Sequence, residues 1–185
     1  MQDYRKERPE LVIVYFYFDF KDPRKQLHGN FLRSAIAQFA NQHREANRAL
    51  HDLYSKSQDG KQQPSAHSLE DVLFHIVSFL GSVCIIIDAL DECTERNNFF
   101  PWLIGLLSKM PNGFRLLITS RRERDIEECL EGQVPCQIDL ESTLVDHDIG
   151  LLVAERLRTD SRLKKWPVEI QAEITVKLME RAHGM

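Results

Sequence analysis

The sequence predicts an α/β protein in which a parallel sheet is flanked by helices and followed by a partial helical subdomain. Strand and helix patterns alternate up to about residue 144, as in chains built from βαβ units. The run at 83–87 is apolar and mostly β-branched, which indicates a strand buried on both faces. Only helical patterns follow. We therefore expect an α/β domain over residues 1–144 and the start of a helical subdomain over 145–185.

The first part of the α/β region predicts one strand and two helices. A β-branched and aromatic run predicts a strand over residues 11–18. Asn30 can cap a helix over about 31–47, and a mobile polar loop is expected over 55–67. Ser68 resembles the start of a capping box, and the apolar spacing that follows it predicts the second helix.

The second part predicts three further strands, with helices between and after them. Gly81 can end the second helix, and Pro111–Gly113 predicts a turn. The other predicted elements are strand 83–89, helix 97–110, strand 115–120, a short charged helix and strand 136–140. In the helical subdomain, Asp146 or Asp148 can cap one helix, and Pro167 suits the first turn of another.

Composition excludes several classes of function. The net charge is −4 and the basic residues are scattered, so we expect no nucleic-acid partner. The four cysteines never form a C-x-x-C pair, which disfavours a zinc site or a disulfide framework. The sequence shows neither a signal-peptide pattern nor an apolar stretch of membrane-spanning length. We therefore expect a cytoplasmic protein without a membrane segment.

Three carboxylates follow the apolar run of the second predicted strand. In open parallel sheets, ligands bind at the carboxyl ends of the strands, where these acids are expected to lie. Asp88 is placed to hold the hydration shell of Mg²⁺, which gives up water reluctantly. Asp91 or Glu92 could orient a water molecule against a terminal phosphate. The plainer alternative is a strand that runs into a solvated acidic turn.

A second group of polar residues follows the third predicted strand. Thr119, Ser120, Arg121 and Arg122 bring hydroxyl and guanidinium groups to the same edge of the sheet. An arginine there can detect charge on a γ-phosphate through bidentate hydrogen bonds. Alternatively, an acid on one strand end and an arginine on the next can form a structural salt bridge. Arg122 faces solvent more easily than Arg121.

These stretches together resemble a known family. Ile85-Ile-Ile-Asp-Ala-Leu-Asp-Glu-Cys93, followed by Arg115-Leu-Leu-Ile-Thr-Ser-Arg121, is similar to the Walker B and sensor 1 pair of NACHT-type NTPases. The nearest resemblance is to the NACHT modules of filamentous-fungal NOD-like receptors. Tyr15–Phe20 and Arg181–Met185 also resemble stretches of that family. The similarity runs from about residue 11 to the end of the chain.

The resemblance implies a RecA-like sheet and a role in signalling. Such a module lies between an effector domain and repeat domains, and ATP or GTP with Mg²⁺ switches it between a closed monomer and a homo-oligomer in fungal self/non-self recognition and cell death. By resemblance, Asp88 would be the Mg²⁺ carboxylate and Asp91 or Glu92 the hydrolytic group. Thr119, Ser120 and Arg121 would lie on the nucleotide side, with Arg121 as the γ-phosphate sensor.

The chain departs from that family at the phosphate-binding loop. A P-loop has the form G-x-x-x-x-G-K-[ST], and no such string occurs here. Gly60-Lys61 is followed by Gln62. In the family, the P-loop strand lies between the sensor strand and the fourth strand. Without it, strands 115–120 and 136–140 must close the gap, or one of them has a free edge. We therefore predict that this chain is a fragment that binds no nucleotide or other cofactor by itself. The alternatives are a non-enzymatic scaffold or interaction module and a metal-dependent nuclease or phosphatase.

Overall fold

The structure is a computed structural model of the 185-residue chain. It describes residues 11–110, 112–138 and 143–182, and in the last range it describes side chains from 148 to 179. The chain divides into two compact units, residues 1–133 and 134–185. No described helix combines the length and the apolar character that a bilayer span requires.

The first unit contains a three-stranded parallel sheet, which confirms the predicted α/β class. The strands are β1 (Val12–Tyr17), β2 (Val83–Asp88) and β3 (Phe114–Ile118). Their order is β1-β2-β3, and both pairings are parallel. The register places Tyr17 beside Asp88 and Ile87 beside Ile118. All three strands therefore end at one edge of the sheet.

Seven α-helices occur in the part of the chain that the structure describes, five in the first unit and two in the second. They are α1 (His28–Gln42), α2 (Arg44–Lys56), α3 (Ala66–Leu80), α4 (Arg96–Leu107), α5 (Arg124–Leu130), α6 (Thr143–Thr159) and α7 (Val168–Ala182). Short 3₁₀ helices span Pro23–Gln26, Leu90–Glu92 and Leu163–Lys165. In the second unit, α6 and α7 pack against each other.

The sheet buries one face much more deeply than the other. The side chains of β2 that point to the buried face are at most 1% exposed, whereas Ile86 on the opposite face is half-buried. Ile86 lies in register with Tyr15 and Leu117, which are 47% and 54% exposed. The prediction that β2 is buried on both faces was therefore wrong for the described residues. An apolar run also fits a strand with one fully buried face, because periodicity alone does not tell the two cases apart.

An aromatic cluster forms the core beneath the buried face. The ring centroid of Phe31 on α1 lies 5.6 Å from that of Phe16 on β1 and 5.6 Å from that of Phe99 on α4. Trp102 lies 5.3 Å from Phe31, and His28 lies 5.2 Å from Trp102. Edge-to-face aromatic contacts of this kind contribute about 0.5–1.5 kcal/mol each beyond the burial of apolar area.

The helix predicted over 31–47 is in fact two helices, α1 and α2, with His43 between them. His43 is extended, and its Nδ1 accepts a hydrogen bond of 3.2 Å from the backbone N–H of Glu45. This side-chain cap competes with continuation of the first helix. Asn30 lies in the first turn of α1 rather than at its cap, and its Nδ2 donates to the carbonyl of Arg24 at 2.7 Å.

The segment between α2 and α3 is shorter than the polar loop predicted over 55–67, because α2 extends to Lys56 and α3 begins at Ala66. Ser65, not Ser68, caps α3, and its Oγ accepts from the backbone N–H of Ser68. Gly81 ends α3 with φ +70°, as predicted. A Cβ atom on Gly113 would lie 1.7 Å from the carbonyl oxygen of Gly81, so the turn before β3 requires glycine.

The remaining differences lie toward the end of the chain. Residues 136–138 are not part of a strand, and the rest of the predicted strand 136–140 lies outside the described residues. The predicted caps Asp146 and Asp148 lie inside α6, whereas Pro167 directly precedes α7. A strand forms only where a neighbouring strand exchanges backbone hydrogen bonds with it. Residues 136–138 do not pair with β3, which is an outer strand of the described sheet.

Candidate functional site at the carboxyl edge of the sheet

The ends of β2 and β3 are joined through Asp88 and Thr119. The backbone N–H of Thr119 donates to the carbonyl of Ile87 at 2.9 Å, which continues the strand pairing one residue beyond β3. The Thr119 hydroxyl donates to Oδ1 of Asp88 and accepts from the backbone N–H of Ala89 at 3.0 Å. Asp88, the predicted Mg²⁺ carboxylate, and Thr119, the first predicted nucleotide-side residue, are thus in direct contact.

Ala89 turns the chain sharply after β2. Its φ of 54° and ψ of 52° lie in the left-handed region, which costs a non-glycine residue roughly 1–2 kcal/mol. Leu90 follows with a fully buried side chain, and its N–H donates to the carbonyl of Thr119 at 3.0 Å. Strained residues of this kind are held only where the surrounding structure over-determines them, and they concentrate at functional sites.

Asp91 forms the ion pair that the sequence left open as an alternative. Its Oδ1 accepts the backbone N–H of Arg121 at 3.1 Å, and its Oδ2 lies 3.4 Å from Nε of the same residue. The Asp91 side chain is 7% exposed, whereas that of Arg121 is 60% exposed. Arg122 pairs with Glu127 at 3.1 Å, where both side chains are exposed. Ser120 turns its hydroxyl to the carbonyl of Arg121 at 2.8 Å rather than toward Asp88.

Glu92 holds the loop that follows β1. Its Oε2 accepts the backbone N–H of Phe20 at 2.5 Å, and Nε2 of Gln26 donates to the carbonyl of Phe20 at 2.8 Å. Asp91 and Glu92 therefore each bind a backbone N–H of a neighbouring loop. In the part of the chain that the structure describes, Oδ2 of Asp88 and Oε1 of Glu92 form no hydrogen bond.

Arg96 connects the loop after β2 with the loop after β3, and the sequence analysis did not identify it as a candidate. Its Nη1 donates to Glu123 at 2.5 Å and to Asp125 at 2.9 Å, its Nη2 to the carbonyl of Asp91, and its Nε to that of Cys93 at 3.1 Å. Partial burial works to lower the pKa of Arg96, but the hydrogen bonds to its two carboxylates raise it. No local motif could reveal this residue, because its acidic partners lie more than 25 positions away.

Asp19 is another residue near this edge of the sheet that the sequence analysis did not identify as a candidate. The backbone N–H of Phe18 donates to the carbonyl of Asp88 at 3.0 Å, so the chain leaves β1 beside the end of β2. Asp19 follows at once, and its Oδ1 accepts the backbone N–H of Lys21 at 2.9 Å. The rule that parallel strands end at one edge could have identified Asp19, since it lies two residues beyond the end of β1 and Asp88 lies at the end of β2.

The described residues contain neither a direct metal site nor a phosphate cradle. No group of three or more His, Cys, Asp or Glu side chains among them could hold a metal ion. Gly60-Lys61 lies in the turn between α2 and α3, and a Cβ atom on Gly60 would lie 2.5 Å from the Tyr54 ring. This turn follows a helix rather than a strand, so it is not a phosphate cradle.

Comparison with known proteins identifies one family. The model of the family described as "Nephrocystin 3, N-terminal" matches residues 1–121. This span contains all three strands and every candidate site residue from Asp88 to Arg121. No curated protein and no solved structure matches the chain. The matched family is not named NACHT, so the NACHT resemblance stays a prediction. Because the match covers more than half of its residues, the chain belongs to the nephrocystin 3 N-terminal family.

Proposed function

We propose that the chain is part of a signal-transducing nucleoside triphosphatase of the NACHT/STAND type. In a longer parent, ATP or GTP with Mg²⁺ would switch the protein between a closed monomer and a homo-oligomer, in fungal self/non-self recognition and cell death. One observation carries the proposal. Asp88 and Thr119 are in contact at the carboxyl edge of a parallel sheet, beside the pair formed by Asp91 and Arg121.

The geometry favours a distinct role for each carboxylate. Thr119 holds Oδ1 of Asp88, which leaves Oδ2 able to accept a hydrogen bond from water on Mg²⁺. When bound, Mg²⁺ would neutralise charge on the phosphates. Both oxygens of Asp91 face Arg121, whereas Oε1 of Glu92 has no described partner. Glu92 is therefore the better candidate to orient the attacking water, with Asp91 positioning Arg121.

Arg121 can act as a sensor because its side chain is 60% exposed. Because the Asp91 side chain is only 7% exposed, replacing Asp91 by a phosphate oxygen carries a desolvation cost, which bidentate hydrogen bonds from Arg121 to the γ-phosphate would have to offset. The backbone hydrogen bond from Arg121 to Asp91 does not depend on that exchange. The side chain could therefore turn toward a γ-phosphate while the loop keeps its position.

The phosphate cradle would come from residues outside this sequence. Support for this view is the position of β3 as an outer strand of the described sheet, where a further parallel strand can pair. We expect calorimetric titration of this chain with ATP and Mg²⁺ to show no binding, because the sequence has no G-x-x-x-x-G-K-[ST] string to supply the backbone N–H groups that hold the phosphates. A homologue with an intact G-x-x-x-x-G-K-[ST] string serves as the positive control. One-to-one micromolar binding by this chain would contradict the expectation.

The Mg²⁺ role of Asp88 can be tested in a parent protein that contains the cradle. We expect Asp88→Asn to abolish nucleotide-driven oligomerisation measured by light scattering, because an amide binds the hydrated cation poorly. The matched control is Asp52→Asn on the exposed surface of α2, which should leave the response intact. An unchanged response in the Asp88 variant would remove the basis for the assignment.

A non-enzymatic scaffold or interaction module is the second candidate function. Two observations favour it, namely the missing cradle and the use of Asp91 and Glu92 to hold neighbouring backbone. Under this alternative, the chain would bind a cradle-containing homologue whether or not Asp88 is changed to Asn. A pull-down with both forms of the chain, with and without nucleotide, distinguishes the two candidates.

A further inference from the structure

The corner between α6 and α7 carries a dense group of exposed cations. The group consists of Arg158, Arg162, Lys164 and Lys165, and all four side chains are exposed. Arg162 lies 3.9 Å from Asp160, and the other three form no ion pair with any described residue. In the first unit, by contrast, most arginines pair with a carboxylate. The corner therefore carries three exposed cations without an ion-pair partner among the described residues, beside the pair of Arg162 and Asp160, on a chain whose net charge is −4.

An exposed apolar segment follows these cations directly. Trp166 is 52% exposed and Val168 is 77% exposed, with exposed Pro167 between them. The other tryptophan of the chain, Trp102, packs inside the aromatic cluster of the first unit. A half-exposed indole beside lysines is typical of side chains that lie at the boundary between water and lipid.

The backbone holds this segment in place. The N–H of Trp166 donates to the carbonyl of Leu163 at 3.1 Å, which closes the 3₁₀ turn. The carbonyl of Trp166 accepts from Nε2 of Gln171 at 2.8 Å, which ties the corner to α7. Exposure of the indole thus results from a hydrogen-bonded turn between two packed helices, and binding would require little further ordering.

We propose that this corner docks on the surface of a membrane that contains anionic lipids. The four cations complement anionic headgroups, and Trp166 with Val168 can enter the interfacial layer. A nucleic acid would also attract the cations, but it offers no apolar layer for Val168. An acidic peptide would need a groove, and these residues line neither of the two cavities found beside α2. The proposal is independent of the nucleotide function.

Vesicle binding tests the proposal on the whole chain. We expect the chain to co-sediment with vesicles of phosphatidylcholine that contain about 30% phosphatidylserine, and not with phosphatidylcholine alone. Raising the salt concentration to about 0.5 M should release it, because exposed charges are then screened. Trp166 should report the contact as a blue shift of fluorescence that Trp166→Phe removes, while the half-buried Trp102 in the aromatic cluster keeps its emission.

Charge variants separate this corner from general electrostatics. Arg162→Gln, Lys164→Gln and Lys165→Gln in combination should lower the partition onto anionic vesicles at least tenfold. The matched control removes three cations from the exposed surface of the first unit, with Arg48→Gln, Lys56→Gln and Lys61→Gln, and changes the net charge equally. Circular dichroism confirms that each variant is folded, and the salt and fluorescence tests need no variant that removes charge.

The outcomes are decisive in both directions. Binding that requires anionic lipid, the three corner cations and Trp166 supports the proposal. Equal loss in the control variant would show that net charge alone drives binding, and absence of co-sedimentation would show that the corner does not dock; either overturns the proposal. Tight binding of a labelled 20-base single-stranded RNA without vesicle binding would overturn it in favour of a nucleic-acid surface.

Discussion

Arg96 illustrates how single residues build the candidate site without meeting a ligand. Its side chain is 20% exposed, and its guanidinium contacts the backbone after β2 and two carboxylates after β3. Because those loops carry Asp91 and Arg121, Arg96 supports the relative position of the two candidate residues in addition to their direct contact. The hydrogen bond from Arg96 also lowers the pKa of Asp125, which keeps the carboxylate charged.

We expect Arg96→Gln to lower the free energy of unfolding by about 2 kcal/mol, because it leaves a partly buried carbonyl and two carboxylates without their cation. Urea unfolding followed by circular dichroism measures the change. Arg124→Gln is the matched control, since Arg124 is 91% exposed and pairs with Glu128 within α5. That control should change stability by no more than about 0.5 kcal/mol. Equal effects of the two substitutions would show that Arg96 does not hold the loops after β2 and β3 together.

At the scale of secondary-structure elements, His28 joins α1 to the helices around it. Its side chain is 1% exposed, and neither ring nitrogen forms a hydrogen bond with a described residue. Nδ1 lies 3.7 Å from a carboxylate oxygen of Glu70 on α3, and the backbone N–H donates to Glu95 at 2.7 Å. Burial lowers the pKa of His28 to about 4, although the nearby Glu95 carboxylate works to raise it.

This lowered pKa predicts that the free energy of unfolding falls as the solution becomes more acidic. The unfolded chain takes up a proton near pH 6.5 and the folded chain only near pH 4, so protonation favours unfolding. The contribution of His28 is fully present above about pH 7 and is lost as pH falls from about 6.5 to 4, by about 3 kcal/mol in total. Urea unfolding as a function of pH measures this loss.

Two variants distinguish the contribution of His28 to the pH dependence of stability from the contribution of carboxylates that titrate in the same range. His28→Phe keeps an aromatic ring in the cluster and should flatten the dependence between pH 6.5 and 4. His51→Gln, at an exposed position of α2, should leave the dependence intact. An unchanged pH profile in His28→Phe would show that another group causes the acid sensitivity.

At the scale of the whole molecule, the buried apolar residues are distributed unequally. Those in the described part of the chain lie in the first unit, except for Leu157 in the second. Burial of apolar surface is the main favourable contribution to folding. The first unit therefore has the components of an independent core, whereas the second consists of a helical pair with little buried area of its own.

We expect a fragment of residues 1–133 to unfold cooperatively and to keep the near-ultraviolet circular dichroism of the aromatic cluster around Trp102. The cluster and the three strands all lie within this fragment. Residues 134–185 alone should unfold gradually, because a two-helix unit buries too little apolar surface for a cooperative transition. A featureless near-ultraviolet spectrum of the larger fragment would show that its core is not self-sufficient.

How far sequence reasoning reaches differs from element to element. β1, β2 and the end of α3 at Gly81 follow from local patterns, and the structure confirms them. The break at His43 could not be predicted, because a histidine cap competes with a helical pattern that continues through it. Strand 136–140 was predicted from composition, but a strand depends on a neighbour that local sequence does not specify.

The sequence by itself determined the strand ends at which Asp88 and Thr119 lie, because apolar runs and parallel topology are encoded locally. It also determined that a phosphate cradle is absent from these residues. Only the tertiary structure decided that Asp91 pairs with Arg121, that Glu92 holds the loop after β1 and that Arg96 joins both loops. Apart from the hydrogen bond from Arg96 to Asp91, which lies five positions away, these contacts connect residues 27 to 72 positions apart. Side-chain geometry at such separations follows from packing rather than from any local pattern.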